Sequence, residues 1–138
     1  PLLQKQFETR IIKKRYIALL NGHLTTQAPK GFIRLPMRPD YDNRPYQLVD
    51  YTHGKPAITR YEIIGETNGY IRIAYYPETG RTHQLRVHSA HPDGMDCPIL
   101  GDQLYGQPDK RLYLHAEALE FRHPVTQKRV KITAPVPF

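Results

Sequence analysis

Two alternating runs, AITRYEIIG (57–65) and YIRIAYYPE (70–78), constrain the fold more tightly than any other feature of the chain. In the first, Ile58, Arg60, Glu62 and Ile64 alternate with Thr59, Tyr61 and Ile63; in the second, Tyr70, Arg72, Ala74 and Tyr76 alternate with Ile71, Ile73 and Tyr75. A period of two belongs to a strand with one face turned to a core. GETNG (65–69) joins the runs and is rich in the residues that turns require, so an antiparallel hairpin is predicted. PETG (77–80) is a further turn, and RTHQLRVHSAH (81–91) is predicted to be a helix with Thr82 as N-cap and Pro92 as its stop.

The rest of the chain fits around this strand–turn–helix unit. Leu3, Phe7 and Ile11 lie at helical spacing and predict a short amphipathic helix. Tyr16, Ala18 and Leu20 alternate with Ile17 and Leu19 before the Asn21-Gly22 turn signal, which predicts a strand. From Thr25 to Asp50, Pro29, Pro36, Pro39 and Pro45 predict a long surface excursion with at most short strands. CPILGDQLYGQPDK (97–110) reads as loop, and LYLHAEALEF (112–121) and RVKITAPV (129–136) as late strands. There is no internal repeat and no βαβ rhythm. The expected class is α+β, a largely antiparallel sheet with flanking helices, in one domain spanning 1–138.

Composition narrows the function classes. No apolar run approaches the roughly 20 residues of a membrane span, and no signal-peptide pattern is present. The one cysteine, Cys97, has no partner in the chain, which fits a reducing compartment and a cytoplasmic location. A net charge of +7 fits a phosphate-bearing partner, nucleic acid first, and equally a solvated lysine-rich surface. Ser89 is the sole serine and lacks a nucleophile-elbow context. His88, His91, Cys97 and Asp102 do not form a second close pair of ligands, so no metal is expected.

Arg81, His83, Arg86, His88 and His91 crowd the predicted helix. So many basic groups in so short a space repel one another unless something anionic or hydrogen-bonding meets them. Thr82, His83 and Arg86 fall on one side of a helix at this spacing, leaving Leu85 to anchor the core. An inward-facing guanidinium needs an anionic partner. The competing reading is a solvated basic helix face.

GRTHQLRVH (80–88) resembles the signature of the RluA-type pseudouridine synthases. Five further blocks resemble that family in its order: LQKQFETRIIKKRYIALLNG, LPMRPDYDNRPYQ, HGKPAITRYEII, PILGDQLYG and LYLHAEALEFRHP. The resemblance covers nearly the whole chain. It implies a pseudouridine synthase-like fold, uridine in ribosomal or transfer RNA as substrate, and no cofactor. It also implies that Arg86 pairs with and steadies a nucleophilic aspartate, and that Tyr16 lies against the target base. Arg81, Thr82, His83, His88 and Lys55 become candidate RNA contacts, with structural or surface roles as the alternatives for each.

The sequence departs from the family in one respect. The family aspartate sits in a His-Arg-Leu-Asp run followed by Thr-Ser-Gly, upstream of the LQKQF block, and no such run occurs in these 138 residues. The expectation is a partial catalytic domain, incomplete at the N-terminus, that is inactive alone and self-associates through exposed sheet edge or core. The alternative is a non-catalytic RNA-binding domain on the same scaffold. Lys13, Lys14 and Arg15 with Lys128, Arg129 and Lys131 are surface charge taken singly and an RNA-facing stripe taken together.

Overall fold

The structure is a computed structural model and describes residues 13–22 and 28–138. The helix expected around Leu3, Phe7 and Ile11 lies outside the described residues. Eight strands and one helix are described: β1 Lys13–Leu20, β2 Lys30–Arg34, β3 Met37–Pro39, β4 Gln47–Val49, β5 Ile58–Thr67, β6 Tyr70–Pro77, α1 Gln84–Ala90, β7 Leu114–Arg122 and β8 Arg129–Thr133. Six strands form one sheet in the order β2-β5-β6-β1-β7-β8, and β3 pairs with β4 in a separate ribbon. Every described pairing is antiparallel.

The hairpin forms as its alternation requires. Thr59 and Tyr61 of β5 are buried while Arg60 and Glu62, which alternate with them, are exposed. Tyr75 sits opposite Tyr61 on one side and Tyr16 on the other, so three tyrosines line up across β5, β6 and β1. Ala18, Leu20, Ile33, Tyr61, Ile73 and Tyr75 form the sheet's contribution to the main core. Leu85 of α1 and Met95, Cys97 and Ile99 of the following loop close over them. Burying side chains of this size stabilises the fold by roughly 1.5–3 kcal/mol each. Ile17, Leu19 and Ala74, on the opposite face, are buried as well. The C-terminal residue lies on that side: Arg72 Nη1 donates to the Phe138 carbonyl at 2.8 Å, and the Phe138 ring meets Tyr113 edge-on.

Residues 30–49 of the proline-rich segment are built into the fold more fully than their composition suggests. Its strands are short, as expected, yet Ile33, Leu35 and Met37 are core residues and β2 is a member of the main sheet. The two residues between β2 and β3, Leu35 and Pro36, redirect the chain from the large sheet to the small ribbon.

The loop at 97–110 is buried at its start. Leu100 N–H donates to Leu19 O, Tyr113 N–H donates to Leu100 O, and Asp102 is inaccessible to solvent. Gly101 makes this path possible, because its φ is +81° and a Cβ there would lie 1.7 Å from the Arg111 carbonyl oxygen. A backbone atom cannot rotate out of the way as a side chain can. Gly101→Ala is therefore expected to lower stability by at least about 2 kcal/mol, read as a reduced urea midpoint.

Candidate active site

The turn between β6 and α1 is organised by a buried side chain. Gln84 Oε1 accepts from Thr79 Oγ1 and the Arg81 N–H, and Gln84 Nε2 donates to Ile58 O and Thr59 Oγ1. Thr79 Oγ1 in turn accepts from the Ile58 N–H. The bonds to Ile58 and Thr59 reach the start of β5 while those to Thr79 and Arg81 hold the turn, so the glutamine ties the approach to α1 onto the sheet.

The helix itself is shorter than the expected 81–91. His83, not Thr82, is its N-cap, with φ 56°, and no side chain caps the first turn. Thr82 is exposed. The left-handed region is tolerated better by His than by a β-branched residue such as Thr, and Gln84 already fixes the turn. Two helical turns also align too few peptide dipoles to make the N-terminus an anion site by itself.

His88 is buried with both ring nitrogens bonded, to Thr59 Oγ1 at 2.9 Å and Leu35 O at 3.1 Å. A carbonyl only accepts, so Nε2 carries the proton and Nδ1 accepts from the Thr59 hydroxyl. That ring is a neutral cross-link between α1, β5 and the β2–β3 junction. It has no nitrogen to offer RNA, which corrects the expectation for His88. Burial pushes its pKa down to about 4.

Arg86 meets a carboxylate within the chain. Nε donates to Asp102 Oδ2 at 3.0 Å and Nη2 to Asp102 Oδ1 at 2.6 Å. Asp102 Oδ1 also accepts the backbone N–H groups of Leu104 and Tyr105. The arginine side chain keeps 17% of its accessible surface and the aspartate none. The hydrogen bonds it donates to Asp102 hold the Arg86 pKa above its ordinary value against the opposing effect of burial. Sequence reasoning read the GDQLYG segment only as loop and missed this pair. Its signal was the aspartate inside a block of otherwise apolar and turn residues.

Tyr105 extends the arrangement. Its hydroxyl accepts from the Gln47 N–H at 2.9 Å and lies 2.8 Å from His83 Nδ1. Burial, then the neighbouring Arg86 charge, lowers the His83 pKa.

A cavity of about 320 Å³ brings Tyr16, His83, Arg86 and Leu114 together with Lys14, Pro77, Gly80 and Arg81. Tyr16 enters from the middle of the sheet, Arg86 from α1 and Leu114 from the start of β7. Gly80 and Arg81 also border a groove of about 820 Å³ with Lys55 and Thr82, walled by β3 and the 40–42 segment. Lys14 and Pro77 border a third groove, about 480 Å³, lined by Lys13, Arg15, Arg60, Tyr76 and Lys131. The structure thus gathers Tyr16, Arg81, His83 and Arg86 at one cavity and places Lys55 and Thr82 in the groove beside it. The stripe at 13–15 is joined by Lys131, whereas Arg129 pairs with Glu120.

Among the described residues, no three His, Cys, Asp or Glu side chains gather closely enough to hold a metal ion. No helix among them is long and apolar enough to cross a membrane.

A family model described as RNA pseudouridylate synthase matches residues 2–91. The chain belongs to that family. It is 43% identical over 142 residues to the dual-specificity RNA pseudouridine synthase RluA of Pasteurella multocida, covering 99% of this chain and 63% of that protein. The RluA of Escherichia coli strain K12 is 40% identical, with the same two coverages. The chain therefore spans about three fifths of the length of the curated relatives it matches. Among solved structures, human RNA pseudouridylate synthase domain containing 1 superposes with a TM-score of 0.79 at 28% identity, covering 98% of this chain and 59% of that one. Domain containing 4 gives 0.75 at 22% identity, a likeness of fold. The expected synthase-like, largely antiparallel α+β architecture is the one found.

Proposed function

We propose that the protein containing this chain converts uridine to pseudouridine in structured ribosomal or transfer RNA in the cytoplasm, and that the Tyr16–Arg86 cavity receives the target nucleotide. The single observation carrying this reading is that Tyr16 of β1 and Arg86 of α1, far apart in sequence, line one cavity. The family membership and the dual-specificity RluA relatives support the reaction class.

The reaction rearranges bonds without net oxidation. The C1′–N1 bond breaks, the uracil turns, C1′ bonds to C5, the C5 proton leaves and N1 gains a proton. The base must first leave its stack. Tyr16 and Leu114 offer the apolar and aromatic surface against which a detached uracil is held. Arg86 steadies the carboxylate that attacks or deprotonates the sugar. That carboxylate belongs to the His-Arg-Leu-Asp run, which is not among these residues. Arg81, Thr82, His83 and Lys55 contact the surrounding backbone.

The 138-residue chain by itself is expected to bind RNA and form no pseudouridine. Mass-spectrometric mapping of rRNA and tRNA transcripts incubated with it checks this; turnover would overturn the inactivity and transfer the chemistry to a carboxylate in the chain. Binding without turnover by the complete gene product would instead establish a non-catalytic RNA-binding domain. Phosphate contacts make the binding salt-dependent. Replacing exposed Lys13 and Lys131 by glutamine should flatten the slope of log affinity against log salt by roughly 0.9 per lost phosphate contact with duplex RNA, taking the value for duplex DNA. An unchanged slope would remove that groove from the RNA path.

A further inference from the structure

The bidentate contact uses one edge of the Arg86 fork, Nε and one Nη2 proton, leaving Nη1 and the second Nη2 proton for another acceptor. Among the described residues Asp102 is the hydrogen-bonding partner of that guanidinium, and Arg86 borders the cavity that Tyr16 lines. A buried ion pair is a poor stabilising device, because desolvation offsets most of its attraction. What such a pair does well is hold a fork in one orientation.

We propose that Asp102 is a positioning residue for the reaction, acting through Arg86. It clamps the inner edge of the guanidinium so that the outer edge stands ready for the carboxylate that works on the sugar. The same Oδ1 atom holds the Tyr105 N–H, and the Tyr105 hydroxyl meets His83 Nδ1. One buried carboxylate thereby sets two of the groups that face the cavity. The proposal rests on the synthase reading.

The test uses the complete gene product containing this chain, assayed by tritium release from RNA labelled at uridine C5. Asp102→Asn is the informative variant. Its side-chain oxygen can still accept the Leu104 and Tyr105 N–H groups, while its amide sets N–H against the arginine Nε–H. The expected result is a kcat lower by about 100-fold, the scale of a misplaced group, with KM for RNA little changed in the protein that remains folded at the assay temperature. Added guanidinium ion should restore turnover to Arg86→Ala and fail with Arg86→Ala/Asp102→Asn. If Asp102→Asn does not fold, Arg86→Ala carries the test: rescue by planar guanidinium but not by ammonium supports the clamp, and equal rescue by both overturns it. An unchanged kcat in Asp102→Asn overturns this proposal alone. No turnover by the unsubstituted protein overturns the synthase reading and this proposal with it.

Discussion

Arg86→Ala is expected to destabilise the 138-residue chain by about 3–5 kcal/mol, the usual cost of removing one partner from a buried ion pair. Asp102 is fully inaccessible and would keep only the Leu104 and Tyr105 N–H bonds. For a chain of this size the loss corresponds to a melting temperature lower by roughly 10–17 °C. The comparison is Arg129→Ala, which removes a pair whose arginine side chain is 70% exposed. That variant should change stability by less than about 1 kcal/mol. Equal, small shifts for the two variants in thermal melts would mean that Asp102 does not depend on Arg86.

Acidification is expected to remove about 3 kcal/mol of stability through His88 alone. In the folded chain the ring stays neutral until pH falls to about 4. In the unfolded chain it takes up a proton near its ordinary value of about 6.5. Between those limits the unfolded state binds more protons, so stability falls as pH falls, and above the window the group has no effect. His91 adds to the depression as a nearby like charge, after burial as the main cause. Replacing His88 by glutamine lowers stability at every pH but should flatten this part of the profile. Denaturant melts between pH 7 and 4 decide the matter; parallel profiles for the two proteins would show that His88 already titrates normally.

Much of the fold was legible because it is written in near-neighbour patterns. Thr59, Tyr61 and Ile63 against Arg60, Glu62 and Ile64 name the two faces of β5 without further information. Asn68 and Gly69 make the turn, whereas Gly65, expected within it, lies in β5 at a shift of register, because the strand pairs on to Thr67. The Pro-rich stretch misled in part, since Ile33, Leu35 and Met37 also stand at alternating positions and are buried. Prolines restrict local backbone geometry, but they do not prevent the residues between them from reaching a core.

The site was legible only by half. Tyr16 and Arg86 were named through resemblance, and they do face one cavity. Asp102 was not matched to Arg86, because nothing periodic connects a helix residue with a loop residue 16 positions later. The start of α1 was misplaced for a similar reason. Thr82 has the chemistry of a cap, but Gln84 reaches across to β5 and settles the turn through long-range bonds. Local rules rank capping residues; they cannot see a buried amide with four partners.

The β3–β4 ribbon stands outside the six-stranded sheet, attached by a few identifiable links. Met37 and Lys55 exchange two backbone hydrogen bonds, Met37 packs with Ala57 and Val87, and Gln47 N–H reaches the Tyr105 hydroxyl. Its tip, residues 40–46, has no strand neighbours in the main sheet. Insertions or deletions at that tip can reshape the rim while β1 and α1 keep their places. If the proposed synthase reading holds, the contour that meets a partner can be recut on one structural component without disturbing Tyr16 or Arg86 on the other.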